Sequence, residues 1–315
     1  IDDVFIHNGK REEYKGYCTD VFFDEAIDFM NASSNKRTPF FVYLATNTPH
    51  SPFIAPPEDK EVISGLIAAS GFSDLQPAVK SRLISYLAMV RIIDTNFGKL
   101  VSFLKDNGLF ENTILIFTTD NGSTQGPDYY NANMRGRKAE LYEGGHRVPL
   151  FISWPEGIKD APRDIDGLTQ AQDILPTLID LCSLKKPTST KFDGSSLAGV
   201  LKGKKDVDRD RMIVINYSRM PMGFEYPSPS GPALVTPERA AVLWKQWRLI
   251  EDQELYDLKS DPLQQTNLIE KYPEIRDKMQ AYLYKWWEGV KDIANESQRI
   301  VIGNDNENPI MLTAC

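Results

Sequence analysis

Cysteine is scarce in this chain. Cys18, Cys182 and Cys315 are the only three in 315 residues, and they stand far apart. That odd, scattered set forms neither a disulfide framework nor a metal-binding spacing, and reads as ordinary core or surface thiols. Positive charge is in deficit as well, with 36 Lys and Arg against 44 Asp and Glu and a net charge of -8. Binding a phosphate backbone needs clustered Lys and Arg, so nucleic acid is excluded as a general partner, although a local anion site is not. No apolar run approaches the roughly 20 residues that span a bilayer, so no membrane span is expected. Residue 1 is Ile rather than Met, and no basic-then-apolar stretch follows it; the natural start is expected upstream. Internal repeats are lacking too. What is present is an ordinary hydrophobic fraction of 41%. The length suits one large α/β domain, or a large domain with a smaller one.

Hydrophobic spacing predicts a helix over 20–30 (DVFFDEAIDFM) and another over 81–107 that ends at Gly108, a glycine placed to cap its C-terminus. Three short apolar runs read as buried strands: PFFVYLA at 39–45, ILIF from 114, and VPLFISW at 148–154. Residues 173–184 read as a further helix, with Pro176 tolerable only near its start. Strand and helix at these lengths predict an α/β core, residues 1–205, with a mixed, mainly parallel sheet flanked by helices. Beyond about residue 205, MIVINY and AVLWKQWRLIED alternate more, as antiparallel strands with one wet face do. A helix over 273–290 closes the chain. Residues 206–315 are therefore expected to form a smaller antiparallel-sheet-plus-helix subdomain. The proline-rich stretch 218–237 reads as irregular loop.

The strand ILIF runs into TTDNG, placing Asp120 and Asn121 at its carboxyl end. Ligands in open α/β sheets sit at that end, and a carboxylate beside an amide carbonyl is a hard-oxygen pair suited to Ca²⁺ or Mg²⁺. Gly122 would let the backbone turn away sharply; a plain DNG turn is the ordinary alternative. His50 follows the run 39–45 in a loop stiffened by Pro49 and Pro52. Such a loop can aim an imidazole into a cleft as a proton donor, or it can simply lie at the surface. Lys138 lies in GRKAELYEGGHRVPLFISWP, among Arg135, Arg137, His146 and Arg147. It can neutralise an anion, or belong to a solvated basic loop. Gly144 and Gly145 suit a close approach of backbone to backbone. His7 lacks a comparable context. Taken together, two oxygen donors, a histidine and a lysine at strand ends predict a divalent cation and a tetrahedral oxyanion bound side by side. Metal-assisted hydrolysis of a sulfate or phosphate ester is the matching reaction class.

NTPHSPF, NTILIFTTDNG and GRKAELYEGGHRVPLFISWP resemble the signature blocks of type I sulfatases. These are the formylglycine-dependent arylsulfatases of the alkaline-phosphatase superfamily. YLAMVRIIDTNFGKLVSFLKDNGLFENT, DGLTQAQDILPTLIDLCSL and ELYDLKSDPLQQTNL extend the resemblance over roughly 14–290. It implies an alkaline-phosphatase-like fold, with Asp120 and Asn121 as ligands of Ca²⁺. It further implies that His50 contacts the sulfate and protonates the leaving oxygen, while Lys138 binds the sulfate. The substrate class would be an aryl sulfate or a sulfated carbohydrate, with residues 219–237 and the C-terminal subdomain selecting among them.

One element of the family pattern has no match. The nucleophile is a formylglycine made from Cys or Ser in C/S-x-P-x-R, and no such motif occurs in residues 1–315. Asp2 and Asp3 lack the apolar strand that leads into the family's early aspartate pair, so that role is not carried over. The chain is therefore expected to be the C-terminal part of a sulfatase whose formylglycine lies in a preceding segment, with doubtful activity alone. Open sheet edges would then favour self-association. A phosphodiester or phosphonate monoester hydrolase of the same superfamily, and a non-catalytic carbohydrate-binding relative, remain the alternatives. The family implies a periplasmic or secreted location, which few cysteines fit. Asn31, Asn216 and Asn295 begin formal glycosylation triplets of a kind common by chance.

Overall fold

The computed structural model describes residues 1–72, 74–160, 162–186, 188–216, 236–294, 299–302 and 310–313. The chain divides into two compact units. One comprises Ile1–Ile114 with Trp154–Glu156, the other Leu115–Ser153 with Gly157–Cys315.

The first unit opens with a hairpin, β1 (Asp3–His7) against β2 (Lys10–Tyr14). Asn8 and Gly9 form its two-residue turn, both with positive φ (51° and 79°), the backbone an Asn-Gly hairpin turn demands. Asp2 closes the base by accepting the Gly16 amide at 2.8 Å, and His7 is held by Tyr14 at 2.8 Å. Three helices follow: α1 (Cys18–Asn35), α2 (Pro57–Ala68) and α3 (Pro77–Asp106). Pro57 and Pro77 each open a helix, where a missing N–H costs nothing. Apolar residues at three-to-four spacing bury Val21, Phe23, Ala26 and Met30 of α1 and Ile63 and Ile67 of α2. Helices α1 and α2 both pack on α3, whose Leu83, Met89, Ile92, Leu100 and Leu104 are buried. Asn96 is fully buried in α3 and donates to Asp20 at 2.6 Å and to the Ile92 carbonyl at 2.9 Å. Gly108 ends α3 at φ +65°, the capping role expected of it.

The expectation for 39–45 fails. PFFVYLA lies outside regular structure, and no strand pairs with it among the described residues. With no ladder on either side, the segment has no sheet to be buried in. Phe41 is 72% exposed and Tyr43 84%.

The second unit begins with β3 (Leu115–Thr118), the strand expected from ILIF. It pairs with β4 (Leu150–Ser153) in antiparallel register, Leu115 opposite Ser153 and Thr118 opposite Leu150. Every strand pair among the described residues is antiparallel, where a mainly parallel sheet was expected. Parallel neighbours need a crossover of a dozen or more residues, usually a helix. Between β3 and β4 the chain forms only a short 3-10 turn and one four-residue helix, α4 (Glu143–His146). Phe151 on β4 is 66% exposed, so this pair is not buried on both faces either. Next come α5 (Ile174–Leu181), with Pro176 in its first turn as anticipated, and α6 (Ala198–Leu201).

A four-stranded antiparallel sheet then runs in order β5 (Met212–Asn216), β6 (Ala240–Trp244), β7 (Trp247–Ile250) and β8 (Glu254–Asp257). It is followed by α7 (Pro273–Ala294) and a terminal pair, β9 (Arg299–Ile302) with β10 (Ile310–Thr313). The α/β class with an antiparallel sheet-plus-helix end is as read from the sequence. The wet face is not. One face of the sheet (Ala240, Val242, Trp244, Leu249) buries Met279 and Leu283 of α7. The other (Ile213, Ala241, Leu243, Ile250, Tyr256) packs on Leu141 and Tyr142. Period-2 alternation separates the two faces but does not reveal that a distant loop covers the second. Most of the loop 219–237, and Asn295 and Cys315, lie outside the described residues.

Candidate functional site

Strand β3 ends at Thr118 and delivers Asp120 and Asn121 to the surface two and three residues later, Asp120 exposed and Asn121 half-buried. The Asn121 amide donates to Asp120 Oδ2. That bond fixes the Asn121 side chain by its nitrogen and leaves the Asn121 carbonyl oxygen and Asp120 Oδ1 as open acceptors. Both are hard oxygen donors. Among the described residues no group of three His, Cys, Asp or Glu side chains is disposed to hold a metal. The pair therefore fits part of a Ca²⁺ or Mg²⁺ donor set, and only part.

Gly122 follows, with a φ that is not positive. A Cβ at Gly122 would lie 1.8 Å from the Gly144 carbonyl oxygen and 3.2 Å from Gly145 Cα. The Gly122 amide donates to the Gly145 carbonyl at 3.0 Å. The tight approach expected of Gly144 and Gly145 is present. A Cβ at Gly144 would meet the Gly136 carbonyl oxygen at 2.2 Å, and one at Gly145 the Glu140 carbonyl oxygen at 1.9 Å. Three backbone segments are thus stacked without side chains between them: 120–123, 135–140 and 143–145.

That stacking places Lys138. Its amide donates to the Ser123 carbonyl at 3.2 Å, tying the lysine's backbone to the segment that carries Asp120 and Asn121. Ser123 Oγ in turn accepts the Gln125 and Gly126 amides at 3.1 and 2.8 Å. The Asn131 amide donates to the Met134 and Gly136 carbonyls, both at 2.8 Å, and closes the loop before Lys138. Lys138 is half-buried, and its ammonium has no hydrogen-bond or ion-pair partner among the described residues.

The basic residues around it serve other ends. Arg135 lies over the Tyr142 ring at 3.7 Å and donates to Tyr256 Oη, the Gln264 carbonyl and Tyr142 Oη at 3.0, 2.7 and 2.9 Å. Tyr142 and Tyr256 both donate to Glu254, at 2.9 and 2.8 Å. Burial, then the bond to Glu254, pushes the Tyr142 phenol up to about 12. His146 is largely buried, and burial lowers its pKa despite the nearby Glu143; Arg147 reaches Glu143 at 3.7 Å.

His50 belongs to the first unit. Its loop hangs from buried Thr48, whose hydroxyl meets Thr19 Oγ1 on α1 at 2.6 Å. Tyr17 braces the far side by donating to the Ile54 carbonyl at 2.9 Å. The exposed His50 ring donates from Nδ1 to the Ser51 carbonyl at 2.8 Å. A carbonyl can only accept, so Nδ1 carries a proton and Nε2 is the nitrogen free for chemistry. The structure thus brings Asp120, Asn121 and Lys138 together in one unit, and holds His50 in a braced loop of the other.

Sequence reasoning missed Glu143, Gln264 and Arg248. Glu143 is 1% exposed and pairs with Arg248 of β7 at 2.6 Å, and its amide donates to the fully buried Gln264 at 3.0 Å. One signal was available: an arginine in the otherwise apolar run WRLI, where a buried charge requires a buried partner.

Comparison with known proteins gives the geometry a context. The family model described as Sulfatase matches residues 2–184, and that of N-sulphoglucosamine sulphohydrolase, C-terminal, matches 137–288. An uncharacterized sulfatase of Escherichia coli is 34% identical over 202 residues, 63% of this chain and 33% of that protein. N-acetylgalactosamine-6-O-sulfatase of Bacteroides thetaiotaomicron is 26% identical over 274 residues, 81% of this chain and 48% of that one. The solved structure of Ps i-CgsB in complex with k-i-k-neocarrahexaose superposes with a TM-score of 0.72 at 27% identity, covering 89% of this chain and 57% of that one. The chain spans about half the length of the curated relatives it matches, or less. With a family model covering more than half of its residues and a matching fold, the chain belongs to the sulfatase family.

Proposed function

We propose that this protein is a sulfuric ester hydrolase acting on sulfated carbohydrates, and that its Lys138 ammonium binds the sulfate group. The observation that carries the reading is that unpartnered ammonium, tied through its backbone to the Asp120–Asn121 segment. An ammonium there neutralises the sulfate and stabilises charge that builds on the oxygen of the breaking ester bond. Asp120 and Asn121 would hold a divalent cation, Ca²⁺ or Mg²⁺, together with further donors. When bound, that cation would draw negative charge from the sulfate. His50 is assigned the proton delivered to the departing alcohol, from Nε2 of the protonated ring, with the Ser51 carbonyl holding the opposite nitrogen. The attacking group is assigned to a formylglycine on a segment other than residues 1–315. The reading is supported by the names of relatives that act on sulfated amino sugars.

Titration calorimetry tests it. An aryl sulfate, the matching aryl phosphate and N-acetylgalactosamine 6-sulfate are each titrated into the chain and into Lys138→Ala. The sulfates are expected to bind and to lose about tenfold or more in Lys138→Ala, the value of one charge-assisted contact. Equal affinity of both proteins for the sulfates refutes the role of Lys138. Preference for the phosphate moves the reading to phosphonate or phosphodiester hydrolysis.

Two further parts of the proposal concern the whole protein's location and the association of this chain. Export to the periplasm or the cell exterior fits the family and the few cysteines, and cell fractionation checks it. Self-association of this chain through open strand edges, such as those of the two-stranded pair β3–β4, is the second part. A monodisperse monomer in light scattering at high concentration would count against it.

A further inference from the structure

The four-stranded sheet β5–β8 is joined to the Lys138 loop by buried charge. Arg248 sits in the middle of β7, where its neighbours Trp247, Leu249 and Ile250 are buried. Its side chain is 7% exposed, and its Nε donates to Glu143 Oε1 at 2.6 Å. Nη1 is occupied by the Lys245 and Trp247 carbonyls at 3.0 and 2.8 Å, so the guanidinium has little freedom to move. Glu143 is the first residue of α4. The next two, Gly144 and Gly145, are those that stack on Gly122 and accept its amide. Gly144 also donates to the Arg135 carbonyl at 2.8 Å. Glu143 is therefore joined through its neighbours both to Gly122, which adjoins Asn121, and to 135–138, which carries Lys138.

A second strut runs parallel to the first. Gln264 is fully buried in the loop after β8 and receives the Glu143 amide on Oε1, while its carbonyl accepts Arg135. Glu143 Oε2 and Gln264 Nε2 are both buried without a hydrogen-bond partner. The nearest cation to Glu143 Oε2 is Arg147 Nη1 at 3.7 Å, and a buried ion pair of this kind is often no more stabilising than apolar residues of the same volume. Such a pair fixes the geometry of the groups it joins whether or not it adds net stability.

We propose that Arg248 is a positioning residue: through Glu143 it sets the register of the stacked segments 120–123, 135–140 and 143–145, and so the spacing between Lys138 and the Asp120–Asn121 pair. The C-terminal sheet then acts as the foundation of the sulfate site, not only as a flank that contacts substrate. The functional meaning rests on the sulfatase reading above, but the geometric claim does not.

The experiment uses amide hydrogen exchange by NMR on the full chain without ligand, so a failed sulfatase reading leaves it interpretable. The probes are the amides of Gly122, Lys138 and Gly144, each with a backbone acceptor, and as reference the ladder amides of β6 and β7. Three variants are compared: Arg248→Met, Glu143→Gln and Arg248→Lys. Removing one partner of a buried pair is strongly unfavourable, so in Arg248→Met protection at the three site amides is expected to fall about tenfold or more. The reference ladder should stay within about twofold, as expected of a local opening. Arg248→Lys, which keeps the charge and one donor, should recover part of the loss. Unchanged protection at the site amides overturns the proposal. So does an equal loss at site and ladder amides, or unfolding of all three variants, because the pair would then be a general stabiliser.

Discussion

The substitution Gly122→Ala asks whether the site is as tightly stacked as described. The new methyl would lie 1.8 Å from the Gly144 carbonyl oxygen and 2.9 Å from its carbon. Both are backbone atoms, so no side chain can swing aside. Restoring ordinary contact requires the two segments to part by about 1.5 Å, which is overpacking of the kind that costs about 1–3 kcal/mol. The same movement breaks the 3.0 Å bond from the Gly122 amide to Gly145, adding about 0.5–1.5 kcal/mol. A total of about 3 kcal/mol is expected for the second unit. Gly98→Ala serves as the control. It lies exposed inside α3 with nothing near its Cβ position, and should stabilise by about 0.5–1 kcal/mol. Urea unfolding followed by tryptophan fluorescence and by circular dichroism measures both. Gly122→Ala within about 0.5 kcal/mol of the parent would mean that the segments are not packed backbone to backbone, and the derivation of the Lys138 position would fail with it.

Two more outcomes follow from the same geometry. Burial holds the His146 pKa below its ordinary value, so the unfolded chain binds the proton more readily than the folded one. Stability from this group is complete above about pH 6.5 and is lost as pH falls toward the lower folded value; His146→Gln should therefore flatten the decline in urea midpoint between about pH 7.5 and 5, and an unchanged slope would refute the assignment. Ca²⁺ should bind the chain weakly or not at all, because Asp120 and Asn121 supply too few of the roughly 6–8 oxygens it takes; a tight calorimetric isotherm that disappears in Asp120→Ala would show that other donors complete the set.

Much of this was legible in the chain's letters, and the reasons differ by element. Helix α3 announced itself because apolar residues recur over many turns and Gly108 marks its end. The hairpin turn at Asn8–Gly9 and the helix starts at Pro57 and Pro77 went unread, although local backbone chemistry accounts for them once seen. The strand leading to Asp120 was readable because an apolar run stopped abruptly at oxygen-bearing side chains. The run 39–45 misled, since hydrophobicity reports a tendency to be covered and not whether a partner strand lies alongside. The second face of the C-terminal sheet was invisible for a related reason: Leu141 and Tyr142 cover it from about a hundred residues away. Gly122 was singled out for a turn, while its close packing against Gly144, which occupies the space a side chain would need, was not legible. The Glu143–Arg248 pair could have been suspected from a charge inside β7, though its partner could not have been named.

Chemical-shift mapping decides whether Lys138 binds sulfate. Isotope-labelled chain and its Lys138→Ala variant are titrated with N-acetylgalactosamine 6-sulfate and with the unsulfated sugar. Only the sulfated sugar should move the amides of 120–123 and 136–139, and Lys138→Ala should abolish the response. Equal shifts from the unsulfated sugar, or a response that persists in Lys138→Ala, would contradict that role.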